Sequence, residues 1–121
     1  MNLDFLKMAR NMQDELVKVR RDIHMHPELD YELYRTQGKI KDVLDKENIE
    51  YVESAGSGIC AIIRGNGSKT IGLRADMDAL PLQDMKKCDY ASKEKGKMHA
   101  CGHDAHTTIL LGVAKILNRI N

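Results

Sequence analysis

At 121 residues and a formal charge of +1, the chain falls in the one-domain range and carries no global field that would recruit nucleic acid or an anionic membrane surface. Leu, Ile, Val and Phe make up 28 residues, enough for a modest core, and with one Phe and no Trp that core has to be aliphatic. No apolar run approaches the roughly 18 residues of a membrane helix, and Cys60, Cys88 and Cys101 lack the spacing of a disulfide framework, so a cytoplasmic protein is expected.

Leu3, Leu6, Met12, Leu16, Val19 and Ile23 recur every three to four positions between charged residues, which predicts one amphipathic helix ended by Pro27. A second helix is expected from about Tyr31 to Lys46, with Leu33, Ile40, Val43 and Leu44 on one face and Gly38 as a weak point. From Ile49 the period shortens into β-branched runs punctuated by Gly, Asn and Ser, the last of them Thr70–Met77. The tract Gly65-Asn66-Gly67-Ser68 predicts a hairpin turn, so part of the sheet should be antiparallel. After Met77 comes a Lys-, Asp- and Gly-rich loop with nothing that would pack by itself. A strongly apolar helix then runs from near Gly102 to about Ile120, buried against the sheet.

Three polar clusters stand out. Met98–His106 holds three of the five histidines and one of the three cysteines in nine residues. Thiolate and imidazole are the donors that favour zinc and related metals, Gly102 permits the sharp turn that would aim Cys101 and His103 at one ion, and a helix start favours the thiolate. Taken alone, Cys-x-His more often marks an ordinary buried cysteine. The second cluster puts Asp76 and Asp78 two residues apart at a strand end, where alternation turns both to one side; solvated turn residues before Pro81 would read the same. The third holds His24 and His26 at a helix end, where a structural role against the last carbonyls is favoured over metal binding.

The segments RRDIHMHPEL, GLRADMDALPLQD and YASKEKGKMHACGHDAHTTILLG, in that order, resemble the N-terminal portion of the M20 peptidase superfamily. The similarity is to its amidohydrolase branch, which contains hippurate, N-acyl-amino-acid and indole-acetyl-amino-acid hydrolases and N-acetyldiaminopimelate deacetylases. It implies an α/β fold, the first part of a zinc-peptidase-like mixed-sheet catalytic domain, with helices flanking an open sheet and the inserted dimerisation domain absent. It also implies hydrolysis of small N-acyl amino acids by two divalent ions, Zn, Mn or Ni, in proteins that are often homodimers. Within that resemblance Cys101 and His103 are metal ligands, Cys101 bridging; Asp78 orients a ligand; Asp76 stands where other members have a ligating histidine; Asp104 and His106 support the site. Family members continue well beyond this length and supply there a Glu-Glu pair, with the general base, and two further histidine ligands. Glu28, Glu32 and Glu94 do not sit in that motif. The expectation is a half-site with little turnover of its own, on a chain that self-associates through an unpaired sheet edge. The alternative is a catalytically silent remnant that acts as a binding or interaction module. A small structural zinc module is disfavoured, because such sites close with four protein ligands.

Overall fold

The amphipathic N-terminal stretch folds as helix, but in two pieces: α1 (Phe5–Asn11) and α2 (Gln13–Met25), in a computed structural model that describes residues 2–121. The break falls at Met12, whose φ and ψ of −105° and 8° leave the helical region. Met12 is buried, and the bend lets both helices lie against α4 (His103–Ile120). Gly112 makes that approach close, since a Cβ there would stand 3.0 Å from Leu16 Cδ1.

The second helix, α3 (Tyr34–Lys46), starts three residues later than its apolar pattern suggests. Its free N–H groups decide this: the Glu28 carboxylate accepts from Thr36 N at 2.6 Å and from Arg35 N at 3.0 Å, a cap supplied from outside the helix. Val19 and Ile23 of α2, Ile40, Val43 and Leu44 of α3, Ile49 and Leu111 of α4 form one aliphatic core.

The strands β1 (Glu50–Ser54) and β2 (Gly58–Ile62) pair antiparallel, from Glu50↔Ile62 to Ser54↔Gly58. The hairpin turn is therefore Ala55-Gly56-Ser57, with Ala55 and Gly56 at φ of 53° and 78°, and not Gly65–Ser68 as the sequence suggested. Both tracts can supply positive φ. Tyr51 of β1 and Ile59 of β2 pack against the helical core, which favours the first pairing. Gly58 is required there, because a Cβ would sit 2.7 Å from Ser54 O.

A second correction concerns Thr70–Met77, which forms no strand. A strand is held by a neighbour, and among the described residues none runs alongside it; Ile71 and Leu73 are exposed. The segment is anchored at its end instead, where Thr107 Oγ1 donates to Asp76 O at 2.7 Å and Ala79 N to Glu28 O at 2.8 Å. The loop beyond it is better organised than its composition implies. Buried Asp84 accepts the backbone N–H groups of Ser92 and Lys86, both at 2.9 Å, and the Lys86 ammonium. Ser92 first, and Lys86 with it, outweigh the opposing effect of burial and lower the Asp84 carboxyl to about 2. Among the described residues no helix is long and apolar enough to cross a membrane.

Candidate metal centre

Two chain segments distant in sequence are clamped together here. Leu80 and Met98 form an isolated antiparallel bridge, Leu80 N donating to Met98 O at 2.9 Å and Met98 N to Leu80 O at 3.0 Å. That bridge sets the aspartate-bearing segment beside the start of α4, where Thr107 holds Asp76 by its carbonyl.

His103 is the meeting point. Its Nδ1 lies 2.9 Å from both the Asp78 carbonyl oxygen and Asp78 Oδ1, so with two acceptors against it this nitrogen carries the proton. The other nitrogen, Nε2, is left with its lone pair and stands 3.9 Å from Asp76 Oδ2. A histidine whose far N–H is held by a carboxylate is the usual disposition of a metal ligand, because that bond fixes ring and tautomer. Asp76 is also bound by Arg74, at 2.5 Å to its guanidinium. Alternation along the extended segment thus turns both carboxylates toward one histidine.

Cys101 is exposed and precedes the left-handed turn at Gly102, where φ is 115°. A side chain at Gly102 would meet no neighbouring atom, so the glycine is required by backbone conformation and not by space. A thiol and an imidazole nitrogen flanking such a turn suit a borderline metal. Among the described residues no three His, Cys, Asp or Glu side chains gather to hold one ion. The donor chemistry therefore fits a metal while supplying part of its coordination.

His106 is exposed one turn along α4, its ring centroid 6.3 Å from that of His103. It lines an open apolar depression with Leu73, Ala75, Ile109 and Val113. Asp104 turns the opposite way and is buried. Its Oδ2 takes Arg20 Nε at 2.8 Å and His24 Nδ1 at 2.7 Å, tying α4 to α2. Burial works against ionisation of Asp104, but the His24 hydrogen bond and the nearby Arg20 charge outweigh it and hold the carboxyl below the usual carboxylate range.

Of His24 and His26, both expected at the helix end as partners for the last carbonyls, only one takes that role. That role belongs to His26, whose Nδ1 is 2.8 Å from Asp22 O, while His24 goes to Asp104. The available signal was Arg20 and His24, four apart and so on one helix face, with an acid in the motif beyond. His99 was also missed: it is buried, stacks at 6.3 Å on His24, and burial pushes its imidazole below its ordinary value.

Residues 72–121 match the model of Peptidase family M20/M25/M40. Over 117 residues the chain is 46% identical to the IAA-amino acid hydrolase ILR1-like 5 of Arabidopsis thaliana, covering 94% of this chain and 27% of that protein. Over 107 residues it is 43% identical to the N-acetylcysteine deacetylase of Bacillus subtilis, covering 86% of this chain and 28% of that one. Among solved structures it superimposes with a TM-score of 0.87 and 40% identity on the Bacillus subtilis YXEP protein, described as a dinuclear metal binding peptidase, over 92% of this chain and 32% of that one. The chain thus spans less than a third of the length of each of these relatives.

Proposed function

We propose that this chain, whose residues 72–121 match the M20/M25/M40 peptidase model and which is similar to the N-terminal part of longer M20 proteins, contributes half of a dinuclear metal site that hydrolyses the amide bond of N-acyl amino acids. The observation that carries this reading is His103, with Nδ1 held by Asp78 and Nε2 free beside Asp76. Cys101 and His103 are the proposed metal ligands and Asp78 the carboxylate that orients His103. Bound divalent ions would supply Lewis acidity toward water and the amide carbonyl.

What this chain's residues do is bind and orient. Asp78 keeps the proton on Nδ1, so that Nε2 presents a lone pair. Gly102 sets the angle between the thiol and the ring, and Thr107 fixes the backbone that carries Asp76. Proton transfer to the leaving amine has no assigned residue. Glu28 is spent on the start of α3, and Glu94 lies in the loop built around Asp84 and Ser92. The proposal is therefore that these residues hold metal and turn over little substrate without further ligands and a base. The small amide substrates named for the relatives, an indole-acetyl amino acid and N-acetylcysteine, are the substrate classes proposed for the complete site. Three free cysteines suit the reducing cytoplasm as its place of action.

The test is metal content after equilibration with zinc or manganese, paired with hydrolysis of N-acetylcysteine by the same samples. Retention by the unsubstituted chain and loss in Cys101→Ser, with little hydrolysis in either, is expected. Equal metal in both would overturn the ligand assignment, and robust hydrolysis would overturn the half-site.

A further inference from the structure

The metal reading leaves unused a buried polar network behind α4. Arg20 and His24 project from α2 onto a single oxygen, Asp104 Oδ2, at 2.8 and 2.7 Å. Asp104 and His24 are almost wholly buried, with side chains 1% and 3% exposed, and they join residues 80 apart in sequence. A polar contact so deep is costly to form and costlier to break, because each partner would be left unpaired out of water. Its place in the chain matters more than its energy. Asp104 lies in the first turn of α4, directly after His103, and the left-handed residue Gly102 separates that turn from Cys101.

A glycine hinge between two ligands is an asset only if something fixes the helix behind it. From the front, Asp78 holds the His103 ring and the Leu80–Met98 bridge holds the segment that leads into Cys101. From behind, the first turn is held by Asp104, and Asp104 by α2. Thr108 Oγ1 bonds back to the Asp104 carbonyl at 2.8 Å, closing the turn on itself. We infer that His24 is a positioning residue for the metal centre, aiming Cys101 and His103 through Asp104, with Arg20 as its partner on the same oxygen. This rests on the reading of Cys101 and His103 as ligands.

The observations favour positioning over simple core filling. Position 24 faces Asp104, Asp84, His99 and Tyr90 and not the aliphatic core around Ile23 and Leu44, and its imidazole Nδ1 is spent on the residue that follows a ligand. Its other nitrogen, and Asp104 Oδ1, have no hydrogen-bond partner, so the pair is not assembled to satisfy every polar atom. It is assembled around one contact.

The test uses the full chain and cobalt(II), whose bond to a thiolate gives a charge-transfer absorption in the near ultraviolet. His24→Leu removes the contact, His24→Asn keeps a donor near the Nδ1 position, and Arg20→Leu, at a partly exposed residue, is the variant that folds if burial makes position 24 intolerant. Cobalt titration is read beside amide exchange at residues 102–106 of the metal-free chain. The expected result is about tenfold or more weaker cobalt binding in His24→Leu, the range for loss of a residue that orients a ligand, with faster exchange confined to residues 102–106. Recovery in His24→Asn and a smaller loss in Arg20→Leu are also expected. Unchanged cobalt affinity and exchange in both Leu variants would overturn the positioning role while the metal reading stands. A cobalt–thiolate band missing from the unsubstituted chain would overturn the metal reading and this inference with it.

Discussion

Lys115 sits inside the helical layer, its side chain only 2% exposed, with its ammonium between the carboxylates of Glu15 on α2 and Glu47 at the end of α3. The centre of this ion triad and its Glu47 end should respond unequally to removal. Lys115→Met replaces a buried charge by an apolar chain of similar length and similar helix propensity. It strands little: Glu47 keeps the Arg119 guanidinium at 2.7 Å, and Glu15 is half exposed and can hydrate. The expected change is within about 1 kcal/mol in either direction, as for other buried ion pairs replaced by well-packed apolar groups. Glu47→Ala does the opposite. It leaves the Lys115 ammonium buried with Glu15 alone, where breaking a buried pair costs about 3–5 kcal/mol; because Glu15 remains, about 2–3 kcal/mol is expected. The assay is urea unfolding followed by far-ultraviolet circular dichroism. With a slope of about 1–3 kcal/mol per molar, Glu47→Ala should lower the midpoint by roughly 1–2 M and Lys115→Met should barely move it. The Arg119 hydrogen bond, with Lys115, outweighs burial and holds the Glu47 carboxyl below its ordinary 4.5. Its contribution is therefore present above that value and lost as the pH falls below it, so the gap between Glu47→Ala and the unsubstituted chain should narrow in acid. A loss in Lys115→Met as large as in Glu47→Ala would refute the argument, because it would assign the stability to the ammonium and not to the penalty of stranding it.

Gly102→Ala puts a Cβ at a φ of 115°, where no neighbouring atom blocks it but the backbone itself disfavours it, and should cost about 1–3 kcal/mol in the same unfolding assay. An unchanged midpoint would show that the turn is not held in that conformation. Asp84→Asn should loosen the loop from Asp84 to Met98 and flatten the acid limb of the stability curve. The folded carboxyl sits at about 2, below its ordinary 3.8, so its contribution is fully present above 3.8 and lost as the pH falls through 2. Equal acid sensitivity in both chains would count against that bond set.

Helix periodicity located α3 and α4 because an aliphatic face repeats in each, and the turn at Gly102 was legible as a glycine ahead of an apolar run. The break at Met12 was not, since Met12 continues the apolar stripe and only its burial against α4 explains the bend. Strand pairing was less legible still. Two glycine tracts could each turn a hairpin, and the choice of Ala55–Ser57 depends on Tyr51 and Ile59 reaching a core that local sequence does not display. In the candidate site, spacing brought Asp76 and Asp78 to one side, and His103 meets both. The Arg20–Asp104–His24 contact spans 80 residues from His24 to Asp104, and no local pattern reports such a distance.

The most direct measurement is the anomalous scattering of zinc in crystals of the chain. An ion is expected at bonding distance from Cys101 Sγ, about 2.3 Å, and from His103 Nε2, about 2.0–2.1 Å, with Asp78 still on Nδ1. An ion bound away from Cys101, or through His103 Nδ1 with Asp78 displaced, would contradict the ligand assignment.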